Sequence, residues 1–158
     1  MGIIGMSDNL EATLARAFPA EMIYRAVIDE PTANWTVYDD RENLAAFENK
    51  TWQDLPADLL ERHPTLPVYA GDALFHATLP GYLCILLHER EVFNDLPFQI
   101  ASQLTRKDYP EFHPKFDRRM ARFTQAQRAA VRDVLAHLAT VSPIEGAMSR
   151  ALATWNNL

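Results

Sequence analysis

The stretch TLPGYLCILLHER, Thr78 to Arg90, is the most apolar run of the chain, and its reading decides the fold. It carries a single cysteine four residues ahead of a histidine, so three readings compete: a membrane segment, a thiol–imidazole pair, or the central helix of a core. Crossing a bilayer takes about 20 consecutive apolar residues. The run from Leu79 to Leu87 has nine and meets His88, Glu89, Arg90 and Glu91 at once, which excludes the membrane. Pro80 lacks an amide hydrogen and holds Leu79 extended, yet suits the first position of a helix. The expectation is a helix beginning at Pro80, apolar nearly all round and therefore buried in the core.

Cys84 and His88 stand at i and i+4, neighbours on that helix, and a thiol within reach of an imidazole is how a cysteine nucleophile is activated. Counted from Pro80, Cys84 lies past the first turn, where the helix dipole would favour a thiolate, and Glu89 and Glu91 favour the neutral thiol. With Gly81, the two form a narrow strip against which a neighbour packs closely. A buried structural cysteine is the favoured reading, with Cys84 and His88 kept as weak catalytic candidates. The histidines at 63, 76, 88, 113 and 137 show neither H-x-x-x-H nor H-E-x-x-H spacing, and no G-x-G-x-x-G, P-loop or G-x-S-x-G occurs. No metal site and no cofactor is expected.

Outward from this helix, periodicity is helical. Leu10, Leu14, Ala17 and Phe18 make one stripe, with Ser7 as N-cap and Pro19 as stop. AEMIYRAVIDEP suits a helix or a short strand, with helix preferred, and NWTVYDD reads as extended, so one short extended segment is allowed near residues 22–38. RENLAAFENK reads as a short helix buried through Leu44 and Phe47. Within TWQDLPADLLERHP, Thr51 and Asp54 have capping spacing, and Asp72 is the expected cap of a separate turn, ALFHATL. Towards the C-terminus, Thr124 and Gln127 form a capping box ahead of a Val131, Val134, Leu135, Leu138 stripe. Ser142, Pro143 and Glu145 then open a last helix apolar at Ile144, Ala147, Met148, Ala151, Leu152 and Trp155. These two helices should make an antiparallel hairpin.

At 158 residues, with 48% hydrophobic and 23% charged residues, the chain falls among soluble globular domains, and one domain spanning 1–158 is expected. Residues 1–6 read as a disordered or non-native start, with no basic region of a secretory signal. One cysteine cannot close an internal disulfide, so a reducing, cytoplasmic compartment is the default. Charge is uneven: residues 28–72 hold ten acids against three bases, and residues 105–150 nine bases against five acids. The two segments either neutralise each other or leave an acidic face for a basic partner.

RKDYPEFHPKFDRRMARF interleaves bases with Tyr109, Phe112, Phe116 and Phe123, a composition able to track single-stranded nucleic acid. The sequence pI of about 5.3 and net charge of −6 argue against it, and the two prolines make this stretch read as a loop pinned to the globule. Trp52 reads as a lid on the core.

Taken in order, Ala17–Phe18, TWQDL, ALFHATLPGYL and RFTQAQRAAVRDVLAHLA resemble a family of small bacterial proteins catalogued as a domain of unknown function. That family carries a W-x-D-L, a Y-L-P and a final L-T-x-x-Q-R-x-A-V motif. The likeness covers roughly residues 8 to 139, with Thr78 in place of the tyrosine and Phe123 in place of the leucine. It implies a shared fold and brings no activity, and its marked positions here are Trp52, Asp54, Pro80 and Gln127.

The expectation is thus a mostly α, single-domain orthogonal bundle of six or seven helices. Its function is read as a non-enzymatic interaction protein, immunity- or antitoxin-like, that neutralises a basic partner such as a cognate toxin through Asp39, Asp40, Glu42, Asp54 and Asp58. The alternative is a small thiol- or metal-dependent hydrolase using Cys84, His88, Asp54 or the scattered histidines.

Overall fold

The apolar stretch around Tyr82 lies in the second half of a longer helix than its proline suggests. The computed structural model describes residues 5–39, 41–88, 95–141 and 145–158. Among them, nine α-helices run in the order α1 (Met6–Ala17), α2 (Arg25–Ile28), α3 (Ala57–Glu61), α4 (Leu66–Tyr69), α5 (Asp72–Leu87), α6 (Leu96–Gln103), α7 (His113–Ala121), α8 (Gln125–Val141) and α9 (Glu145–Asn156). Short 3-10 turns occupy Trp35–Val37, Arg41–Phe47, Trp52–Asp54 and Pro110–Phe112. The chain is all-α; six helices have eight residues or more, and the excess over the expected number comes from the one-turn pieces α2, α3 and α4.

The separate turn and helix expected on either side of Pro80 are one element, α5, with Pro80 inside it. An interior proline costs about 3 kcal/mol because one helical hydrogen bond is lost and its ring crowds the preceding turn. Burial outweighs that cost here, since twelve of the sixteen α5 residues are buried, Leu74, Tyr82 and Leu83 completely. Fully burying one such side chain contributes about 1.5–3 kcal/mol, so two or three of them offset the proline. The helices α1, α2, α3, α7 and α8 and the Trp52–Asp54 turn all pack against α5. It is the central core helix that its all-round apolarity implies.

Several caps differ from expectation. Gly5, not Ser7, holds the N-cap position of α1, and Gly71, not Asp72, that of α5. The first amides of α5 are instead satisfied from far along the chain: Asp72 N donates to Thr32 Oγ1 at 2.9 Å and Ala73 N to Glu30 Oε2 at 2.8 Å. A Cβ at position 71 would stand 2.9 Å from Thr32 Oγ1, so glycine is what lets this cap approach. Thr51 donates its hydroxyl to Asp54 Oδ2 at 3.0 Å rather than accepting helix amides. Residues 35–37 are a 3-10 turn, not extended, because the Trp35 indole donates to Ile28 O at 2.6 Å and folds the chain back. The extended character near 22–38 is reduced to one antiparallel bridge, Ile23 with Lys50. Residues 113–121, read as loop, are α7, with Pro114 in its first turn where a missing amide hydrogen costs nothing.

The C-terminal half follows its local signals. Thr124 N donates to Gln127 Oε1 at 3.0 Å and Gln127 N to Thr124 Oγ1 at 3.1 Å, a complete capping box. α8 and α9 pack on each other, whereas the Ser142–Pro143 cap and Ile144 lie outside the described residues, as do residues 1–4 of the expected disordered start. Trp52 is the expected lid: it is buried and its indole donates to Phe18 O at 3.1 Å.

The same capping glutamine accepts a hydrogen bond from His76 Nε2 at 3.0 Å, and the buried imidazole packs between Phe18 and Phe123. Burial holds the His76 pKa below its ordinary 6.5, opposed in part by the Gln127 bond and Glu21 and aided by Arg122. The unfolded chain therefore binds this proton first. The stability that a neutral His76 contributes is complete above pH 6.5 and declines as pH falls below it. Urea midpoints measured on descending pH should drop through that window, and His76→Gln should remove part of the slope.

Candidate functional site

α1, α5 and the segment from Trp52 to Leu60 enclose a groove of about 360 Å³. Ala15, Trp52, Leu55, Leu60 and Ile85 make an apolar floor, and Glu11 and His88 stand across its α1–α5 side. Gly81 shapes it: a Cβ there would lie 3.0 Å from Leu60 Cδ1 and 3.6 Å from Trp52 O. The strip of Gly81, Cys84 and His88 is thus closely packed at its glycine end, as its composition suggests, and opens into the groove at the other. That opening is the departure from a wholly buried strip.

Cys84 and His88 both line this groove. His88 Nε2 meets Glu11 Oε2 at 2.8 Å, with both side chains nearly half exposed. Burial, then the Glu11 carboxylate, pushes the Cys84 thiol up to about 12. Glu89 and Glu91, expected to do the same, lie outside the described residues. Only the thiolate is nucleophilic, so a thiol pushed this high is disfavoured as a nucleophile at neutral pH. Its alkylation by iodoacetamide at pH 7 should run about 10³-fold slower than that of a free cysteine, as the rise from an ordinary 9.0 to about 12 implies, and recover in denaturant.

The acidic candidates fall into three groups. Asp54 and Asp58 are exposed and flank the groove residues Gln53, Leu55 and Ala57 in sequence, with Asp58 also 3.9 Å from Arg62 in a solvent-exposed pair. Asp39 and Glu42 are exposed on the segment that leads into and through the Arg41–Phe47 turn. Asp40 lies outside the described residues. Glu11, absent from the sequence-derived set, joins them because α1 packs against α5. An isolated acid on an amphipathic helix carried no signal for that.

The histidines are dispersed. His63 is buried with Nδ1 against the Tyr38 hydroxyl, His76 is on Gln127, His88 is on Glu11, and His113 Nε2 donates to Lys107 O at 2.6 Å. His137 lies on α8, away from the other four in these pairings. Among the described residues, no group of three His, Cys, Asp or Glu side chains could hold a metal ion, and no helix is long and apolar enough to cross a membrane.

Among the described residues, the two oppositely charged segments form ion pairs at the buried Asp72: Oδ2 accepts from Arg118 Nε at 2.9 Å, and Oδ1 stands 3.8 Å from Arg119 Nε. Of the aromatics read as possible base-stacking groups, Phe116 and Phe123 are buried, while Tyr109 and Phe112 are exposed. Arg106 pairs with Asp117, so three of the bases in this stretch face carboxylates. A second cavity of about 280 Å³ opens between α4, α6 and α7, lined by Lys107, Lys115 and Arg119. Sequence reading passed over it because its cations come from a loop and a helix then taken for loop. Comparison with known proteins found no family model, no curated protein and no solved structure that matches this chain.

Proposed function

We propose that this chain is a non-enzymatic interaction protein whose acidic groove takes an apolar side chain of a basic partner protein, in the manner of immunity or antitoxin-like proteins that neutralise a cognate toxin. The observation that carries the reading is the pairing of an apolar floor (Trp52, Leu55, Leu60, Ile85) with Glu11 in its wall and the exposed Asp54 and Asp58 beside it. An apolar anchor in such a pocket supplies most of an interface's affinity, and surrounding carboxylates supply steering and choice of partner. Asp39 and Glu42 are also exposed and are proposed as further partner contacts, as is Asp40 from the sequence. The resemblance to a bacterial family of unknown function fits a cytoplasmic bacterial setting and adds no activity.

The test is copurification at low salt followed by titration of the identified partner. A basic protein should be recovered, its affinity should fall as salt is raised beyond about 0.1 M, where the screening length drops to roughly 10 Å, and combined Glu11→Lys, Asp54→Lys and Asp58→Lys should abolish binding. Binding that survives this reversal and reversal at Asp39, Asp40 and Glu42 ends the proposal. The alternative hydrolase has one observation in its favour, that Cys84 and His88 share a groove wall. The raised thiol pKa and the engagement of His88 with Glu11 weigh against it.

A further inference from the structure

The second cavity combines features that the acidic groove lacks. Lys107, Lys115 and Arg119 line it together with Ser102 and Thr105, and among the described residues no Asp or Glu does. Val68, Phe112 and Phe116 form an apolar wall, half-exposed at Phe112. Arg119 is 2% exposed: Nη1 donates to Gln103 Oε1 at 3.1 Å and Nη2 to Ala70 O at 2.8 Å, the guanidinium carbon lies 4.0 Å from the centre of the Phe75 ring, and the buried Nε stands 3.8 Å from Asp72 Oδ1 without a hydrogen-bond partner. It contributes a fixed positive charge rather than a bond. Lys107 Nζ donates to Ser102 Oγ at 2.7 Å and to Ser102 O at 3.4 Å, and Lys115 Nζ to Val68 O. An ammonium carries three N–H donors, so these bonds leave donors on both lysines for a ligand.

The charges around Lys115 do not balance. Arg118 and Arg119 on its own helix pair with the buried Asp72, while Asp117 on that helix is exposed and pairs with Arg106; α4 and α6 contribute no charged side chain, and among the described residues the exposed Asp108 and Glu111 do not line the cavity. A chain of net charge −6 that gathers Lys115, Arg118 and Arg119 about one buried carboxylate holds them at a cost an anion would relieve. We propose that this cavity binds a small amphipathic carboxylate, its charge on Lys107 and Lys115 in the field of Arg119 and its apolar body against Phe112, Phe116 and Val68. The volume suits a short-chain acid, near the lower end of ligand pockets, which start at about 300 Å³. Burial, then Arg119, lowers the Lys115 ammonium to about 8, with Asp72 opposing and Arg118 adding to the effect. A bound carboxylate favours the charged lysine, so affinity should be highest below about pH 8 and decline above it.

Calorimetric titration of the full chain with hexanoate tests this, with hexanamide and inorganic phosphate as comparisons. Saturable hexanoate binding is expected, with hexanamide and the Lys107→Gln variant each weaker by about tenfold or more, the scale of one lost charge-assisted hydrogen bond. Amide chemical shifts should move at Ser102, Phe112 and Phe116 and not along the Cys84 groove. Lys115→Met gives a second variant, read only if its melting temperature shows it folded. Absence of hexanoate binding, equal affinity for hexanamide, phosphate binding as tightly as hexanoate, unchanged affinity in both folded variants, or shifts confined to the acidic groove would each overturn the proposal. Since the groove and this cavity share no lining residue, failure here leaves the partner-binding reading standing, and the reverse.

Discussion

Asp72→Asn should lower the stability of the chain by about 3–5 kcal/mol, the usual cost of leaving a buried charge without its partner. Asp72 is buried at the start of α5, and its carboxylate is where α5 meets Arg118 and Arg119 of α7. Arg118 is half exposed and can turn to water; Arg119 cannot. Its bonds to Gln103 and Ala70 hold the guanidinium in place over Phe75, so neutralising Asp72 strands the charge rather than releasing it. Burial already depresses the Arg119 pKa to about 10, with Asp72 the main opposing influence and Arg118 adding to the depression. Adding Arg119→Met to Asp72→Asn removes the stranded charge while keeping an apolar side chain on Phe75. The double variant should therefore be no less stable than Asp72→Asn alone, and urea titrations of the four proteins measure the coupling. If Asp72→Asn costs less than about 1 kcal/mol, the pair carries no more than a surface salt bridge does.

Trp155→Ala should be as severe, at about 3–5 kcal/mol, from the cavity and the lost transfer free energy together. Trp155 is fully buried on α9, its ring meets Phe123 edge-on at 5.3 Å between centroids, and its indole donates to Leu104 O at 2.9 Å. One side chain thus joins α9 to the end of α6 and to the residue preceding the capping box of α8. Trp155→Phe separates the two contributions, because it retains most of the volume but leaves the Leu104 carbonyl without its donor, at about 1–3 kcal/mol. For a domain of this size each kcal/mol moves the melting temperature by about 2–4 °C, so the alanine variant should melt roughly 6–20 °C below the parent. A change of under about 2 °C, less than 1 kcal/mol produces, would mean that the C-terminal helix is not part of the cooperative core.

The candidate sites were legible in unequal measure. Cys84 and His88 were visible as a helix pair because i, i+4 spacing is a local property, and the bias against a thiolate followed in part from neighbouring charge. The groove that exposes them was not visible, since its other walls come from Glu11 and Ala15 of α1 and from the Trp52–Leu60 segment. The acidic residues were visible as a count, but only folding separates Asp72, which is buried and paired, from Asp39, Glu42, Asp54 and Asp58, which are exposed. The cationic cavity lay hidden because residues 113–121 read as a loop, which left Lys115, Phe116 and Arg119 without a common face.

Local chemistry settled what depends on neighbours along the chain: the all-helical class, the stripes of α1, α8 and α9, the Thr124–Gln127 box and the apolarity of α5. Those signals survive because a cap or a 3.6-residue stripe has its partners within a few positions. Tertiary packing decided whether α5 would continue through Pro80, which carboxylate would lose its water, and where two cavities would open. Each of those outcomes sets a local cost against burial supplied by residues tens of positions away, as when Thr32 and Glu30 cap a helix that begins at Asp72. Such a balance is struck only once the distant segments have met.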